Sequence, residues 1–203
     1  TDETITYGGA ISHAATVNTT TYPSATAVYT YSGKGTTTYA PSAIPPVNAG
    51  TYTVVATVEN ATHKGTKSAN LTINPKALGT ITISAVADQV YTGSPITPVY
   101  TVEGDSVSLV NGTDYTGVFT NNTNSGTATL TITCKGNYTG VQTGTFNITK
   151  ATPTIAFANT SQKLTSAGNN ITPVTATLNP PSAGATVTVH YWVVVTPKAP
   201  CSV

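Results

Sequence analysis

The chain has 203 residues, 7% of them charged and 38% apolar, with a formal net charge of +1. About a fifth is Thr, and there is neither Arg nor Met. Eight scattered Lys give no electrostatic footprint for nucleic acid or an anionic membrane, and no run approaches the roughly 18 consecutive apolar residues of a membrane-spanning helix. The sequence opens at Thr1 without a signal-peptide pattern, so any targeting segment is expected to have been removed or to lie outside this sequence.

Taken in chain order, the elements are all strands. Tyr7-Gly8-Gly9 is the first turn signal, and Pro23-Ser24-Ala25 leads into an alternating stretch that places Tyr29 and Tyr31 on one face. Turn clusters follow at Ser32-Gly33-Lys34-Gly35 and at Pro45-Pro46-Val47-Asn48-Ala49-Gly50. Residues 51–58 then alternate Thr with apolar side chains, the period of a strand with one wet face. Further strands are expected at 69–73, 81–84, 127–133, 145–149 and 185–195, with turns at Asn111-Gly112 and across 121–126. Branched and aromatic residues suit a pleated, half-buried surface, and no ten-residue window shows helical periodicity free of Pro or Gly. Short strands at this spacing predict an all-β fold of antiparallel β-sandwiches.

Internal similarity carries most of the information. Ile96-Thr97-Pro98-Val99 recurs as Ile171-Thr172-Pro173-Val174, a shift of 75 residues. Asn48-Ala49-Gly50-Thr51 aligns with Asn124-Ser125-Gly126-Thr127 at a shift of 76, and Leu71-Thr72-Ile73 with Phe146-Asn147-Ile148 at 75. A Lys-Ala step, Lys76-Ala77 or Lys150-Ala151, follows each, and Tyr7-Gly8-Gly9 resembles Tyr91-Thr92-Gly93. The chain therefore divides into a first unit (1–76), a second (77–150) and a third (151–203). Each has a core of Tyr, Val, Leu and Ile, and the joints are too short to act as loose tethers. An elongated array of beads is expected. The first unit lacks most of the opening strand of the second, and the third lacks its last strands. Those missing strands are expected either to lie outside this sequence or to come from a neighbouring chain.

Residues with chemical potential read mostly as structural. Cys134 continues the parity of Ala128, Leu130 and Ile132, so it should face the core as a small hydrophobe. Cys201 is the candidate for an intermolecular cross-link. His13, His63 and His190 show no metal-ligand spacing. Glu103, Asp105 and Asp114 form the only carboxylate cluster, around a predicted loop without the pattern of a Ca²⁺ site. Lys76 and Asn147 are the pair to consider for an isopeptide bond, although no inward-facing acid accompanies them. Nine Asn-x-Ser/Thr sites are compositional in a chain this rich in Asn and Thr. Tyr29, Tyr31, Tyr191 and Trp192 are candidate sugar-stacking rings, with core filling as the competing role. No catalytic residue, cofactor site or metal site is identified.

The chain resembles the bacterial Ig-like and MBG/YDG-type modules that occur in tandem in large bacterial surface proteins and adhesins. The likeness rests on Tyr91-Thr92-Gly93-Ser94-Pro95, Asn111-Gly112-Thr113-Asp114-Tyr115, Asn121 to Ala128, Gly136-Asn137-Tyr138-Thr139-Gly140 and Phe146-Asn147-Ile148-Thr149-Lys150. It is clearest in the second unit and looser in the first. The resemblance implies a stalk, fibre or adhesin segment, extracellular or on the cell surface, whose partners are neighbouring units or protomers, with environmental glycans as further candidates. An enzyme is not expected. The alternative is a carbohydrate-binding or accessory module of a secreted enzyme.

Overall fold

The computed structural model describes residues 1–12, 14–17, 26–157, 176–179 and 187–190. No helix occurs among them, and the chain is all-β.

The first unit is built on one four-stranded sheet. Its strands are β1 (Glu3–Thr6), β2 (Val28–Gly33), β3 (Gly50–Glu59) and β4 (Lys64–Asn74), in the order β1-β4-β3-β2. The alternation over 51–58 sets which face turns inward. Tyr52, Val54 and Ala56 are buried, while Thr53 and Val55 between them are half-buried. Leu71 and Ile73 of β4 and Tyr31 of β2 complete the buried cluster, and Ile5, Tyr7, Ile11, Tyr29 and Tyr39 pack around it. Among the described residues the layer over this face is made by non-strand segments, not by a second sheet.

The second unit is a two-sheet sandwich. A joint strand, β5 (Lys76–Ala77), leads into β6 (Ile81–Ile83), β7 (Gln89–Val90), β8 (Val102–Gly104), β9 (Val107–Leu109), β10 (Tyr115–Thr120), β11 (Gly126–Cys134), β12 (Tyr138–Thr139) and β13 (Val141–Thr149). One sheet has the order β10-β11-β13-β7 and the other β6-β8-β9. Between them lie Val102, Leu109, Tyr115, Leu130, Ile132 and Cys134, so the inward parity expected for Cys134 is observed. Ile96, Ala128, Phe146 and Ile148 fill the other end. Phe119 joins the two clusters, edge-on to Tyr100 at 5.7 Å and to Phe146 at 6.1 Å between ring centroids. Such T-shaped pairs add to the value of burying the rings. On the outer face Thr pairs with Thr across strands (Thr129 with Thr145, Thr131 with Thr143), which stabilises the ladder while leaving hydroxyls to water.

The four-stranded sheets of the two units follow one plan, and the strand earliest in the chain breaks the expected antiparallel rule in both. β1 runs parallel to β4, with Ile5 opposite Ile73, and β7 runs parallel to β13, with Gln89 opposite Ile148. Tyr7 N–H then donates to Asn74 O at 2.8 Å, and Tyr91 N–H to Thr149 O at 2.9 Å. The weak Tyr-Gly/Tyr-Thr likeness therefore marks equivalent positions. In the third unit β14 (Thr154–Phe157) pairs with β15 (Ala176–Asn179). Ile155 opposes Leu178 just as Ile81 opposes Gly104, a register reproduced at a shift of 74 residues. Of the strand expected over 185–195, residues 187–190 are described; their burial alternates, but they form no strand.

Candidate functional site

The feature that sets this chain apart from two independent units is the joint between the first and the second. Lys76 and Ala77 are not a loose linker. They form β5, which pairs in parallel with β12, Lys76 opposite Tyr138 and Ala77 opposite Thr139. Lys76 N–H donates to Asn137 O at 2.9 Å and Leu78 N–H to Thr139 O at 3.1 Å. The connection thus emerges from the first unit already zipped to the second.

Side chains lock the two units further. Asn137 Oδ1 accepts the Ala49 N–H at 2.7 Å, and its Nδ2 donates to Asn48 Oδ1 at 3.0 Å. One amide therefore uses both ends on the Asn48-Ala49 turn of the first unit. Tyr7 meets Tyr138 edge to face at 5.4 Å. Burial, and then the neighbouring Tyr7, push the Tyr138 phenol above its ordinary pKa. Lys76 Nζ pairs with Asp105 Oδ2 at 2.9 Å, and Asp105 Oδ1 accepts the Gly79 and Thr80 N–H groups at 3.0 Å. Asp105 and Ser106 form the two-residue turn between β8 and β9, both with positive φ (48° and 67°), which matches the twist of paired strands. An open groove of about 450 Å³ runs along the joint, lined by Thr6, Tyr7, Lys76, Leu78, Val107 and Tyr138 among others.

Of the candidate sugar-stacking rings, Tyr31 is only 4% exposed and Tyr29 packs beside it against the first unit's core. Tyr29 also accepts the Ala15 N–H through its hydroxyl at 2.6 Å. The shared face foreseen for these two rings is real, but it points inward, so Tyr31 offers no ring face to a sugar. Tyr191, Trp192, Cys201 and His13 lie outside the described residues. Cys134 is a free, buried thiol. The carboxylates do not converge: Asp105 holds the joint, Asp114 Oδ2 accepts the Val110 N–H at 2.9 Å, and no cluster of three His, Cys, Asp or Glu occurs among the described residues. Lys76 and Asn147 have separate partners, since the Asn147 Oδ1 accepts the Thr127 hydroxyl at 3.2 Å. No charged or polar residue is buried among the described residues.

In the sequence the Gly136-Asn137-Tyr138 turn stands out only as part of a family motif, and its bridging role is not visible there. The signal available was an Asn-Tyr pair at a predicted turn beside the Lys-Ala step, but a contact between residues 88 positions apart has no local signature.

Residues 1–77 match the family model of the MBG domain. The match falls on the unit with the looser motifs, and its last residue, Ala77, is the last of β5. The MBG-like unit therefore ends where the joint strand ends. A comparison with curated proteins gives no match. Among solved structures, a chimeric titin Z1Z2 carrying an exogenous decorin peptide is similar at 12% identity, covering 74% of this chain and 93% of that one, with a TM-score of 0.25. The titin Z1Z2 domains in complex with telethonin are similar at 15% identity, covering 67% and 77%, with a TM-score of 0.21.

Proposed function

We propose that the chain is a load-bearing repeat segment, a stalk, fibre or adhesin part, of a bacterial cell-surface or extracellular protein. Its partners on this reading are neighbouring units or protomers, and it has no catalytic activity. The observation that carries the proposal is that in each four-stranded sheet the strand earliest in the chain pairs in parallel with the strand latest in the chain, β1 with β4 and β7 with β13. Tension drawn along the chain enters the first unit at the start of β1 and leaves at the end of β4; in the second unit it passes β5 and β6 before reaching β7 and leaves at the end of β13. In parallel neighbours this loads the ladder hydrogen bonds together, in shear, instead of one at a time. The zipped β5 passes the load from one unit to the next without a slack segment. The MBG-domain match and the motif likeness to tandem modules of surface proteins support the same reading. Tied-up carboxylates at Asp105 and Asp114 support the absence of catalysis.

The test is single-molecule pulling of the full chain from its two ends. Two resolved force peaks are expected, one for each of the first two units, each releasing about 3.3–3.6 Å of contour per residue. Extension without resolved peaks would overturn the load-bearing reading.

A further inference from the structure

An asparagine followed by a small residue is a spontaneously reactive pair, because the next backbone nitrogen can reach the side-chain carboxamide carbon and close a succinimide ring. Among the described residues four asparagines precede Gly, Ser or Ala: Asn48, Asn60, Asn111 and Asn124. By residue type alone Asn111-Gly112 is the most reactive of them, since glycine puts no side chain in the way of closure. The fold reverses that order. Gly112 N–H donates to Tyr115 O at 2.9 Å, within the bridge that pairs Asn111 with Tyr115, so the nitrogen that would attack is held on another acceptor. At Asn48 both reactants are tied into the joint: its Oδ1 accepts from Asn137 at 3.0 Å, and the Ala49 N–H donates to Asn137 Oδ1 at 2.7 Å. Asn60 Oδ1 accepts the Thr62 and His63 N–H groups at 3.0 and 2.7 Å, which fixes its carboxamide. Asn124 and Ser125 carry no such restraint. Both are exposed, and no hydrogen bond joins the Asn124 carboxamide or the Ser125 N–H to any partner among the described residues. They lie in the loop from Asn121 to Thr127, which lines an open groove of about 310 Å³.

We propose that Asn124 is a site of spontaneous deamidation in the folded protein, and that Asn111 is protected there. The reaction needs only water. The Ser125 backbone nitrogen loses its proton to solvent base and attacks Asn124 Cγ. The N–Cγ bond forms, the Cγ–Nδ2 bond breaks, and Nδ2 takes up a proton from water and leaves as ammonia. Water then opens the succinimide. Opening at Cγ gives aspartate; opening at the main-chain carbonyl gives isoaspartate, whose backbone runs through the side-chain carbon and gains a methylene. Either product adds a negative charge, which takes the formal net charge of the chain from +1 to zero. The change falls in the turn between β10 and β11, beside Asn122, whose Nδ2 donates to Ile96 O at 2.9 Å and whose backbone O accepts the Ile96 N–H at 2.8 Å. Asn124 belongs to neither buried cluster of the second unit, so the sandwich keeps its core through the modification. This inference is independent of the load-bearing reading.

In the test, the full chain is held at mildly alkaline pH, once folded and once in urea, and sampled over time. Peptide mapping by mass spectrometry, with fragmentation that separates aspartate from isoaspartate, gives a rate for each asparagine. Folding should leave the Asn124 rate nearly unchanged and slow Asn111 by at least about tenfold, the factor that corresponds to breaking one good hydrogen bond. In the native chain the Asn124 peptide should therefore convert first, with a new acidic species on ion exchange, whereas in urea Asn111 should lead. Asn124→Gln, whose longer side chain closes a ring less readily, should remove the native acidic species. Asn111 converting first in the native chain, an Asn124 rate cut by folding as much as that of Asn111, or the acidic species persisting in Asn124→Gln would overturn the proposal.

Discussion

Asp105 lies 2.9 Å from the ammonium of Lys76 while its second carboxylate oxygen accepts two backbone N–H groups of the segment that follows the joint. The Lys76 hydrogen bond first, then the Thr80 N–H, hold its pKa below the ordinary carboxylate value. A carboxylate depressed in the folded state contributes stability above its unfolded pKa and loses it as pH falls through the lower, folded value. The joint should therefore hold at neutral pH and loosen only in acid, below the ordinary value of about 3.9. Amide shifts of Gly79 and Thr80 followed against pH will show the titration. In Asp105→Asn, whose side chain tolerates positive φ, that acid limb should vanish.

Cys134 is predicted to be unreactive in the native chain. Burial first, and the nearby Asp114 charge second, raise its thiol pKa, so little thiolate is present near neutral pH. A thiol reagent should label Cys134 only under conditions that unfold the second unit, as read by peptide mapping after a timed pulse. Fast labelling in native buffer would show that the β11 end opens independently.

Two glycines of the first unit should respond in opposite ways to Ala. A Cβ on Gly33 would collide with the backbone of Thr37 and Tyr39, where the chain folds back beside β2. Gly33→Ala should destabilise the first unit by roughly 1–3 kcal/mol. Gly65 in β4 has open space where a Cβ would go, so Gly65→Ala should be neutral or gain about 0.5 kcal/mol by restricting the unfolded chain. Urea titration with probes in each unit measures both.

Leu71 and Ile132 are fully buried, one in each core. Truncating either to Ala should cost about 2–5 kcal/mol, a large part of what a unit this small possesses. Leu71→Ala should lower the midpoint of the first unit and Ile132→Ala that of the second. Equal movement of both transitions by either variant would mean that the joint makes them one cooperative body.

Much of the architecture was legible because strand parity is a local property. The alternation in residues 51–58 and 127–133 named the buried side chains of β3 and β11 correctly, Cys134 included. Repeat shifts located the equivalent strands. Parallel pairing of β1 with β4 was not legible, since nothing in Glu3 to Thr6 states which strand lies beside it. Tyr29 and Tyr31 show the matching limit: alternation places two rings on one face but does not say whether that face meets sugar or core. The joint was hidden for a third reason. Asn137 is an ordinary turn residue until a second unit arrives to use both ends of its amide.

The zipped joint strand also fixes how the second unit is set on the first. A connection that leaves each unit at the same place and is bound at once to the next defines one rotation and one translation. Head-to-tail contacts that do not close on themselves repeat that operation into an open helix. Modules joined as Lys76 and Ala77 are joined to Tyr138 and Thr139 would wind with constant pitch, so that any exposed loop reappears around the axis at a regular angle.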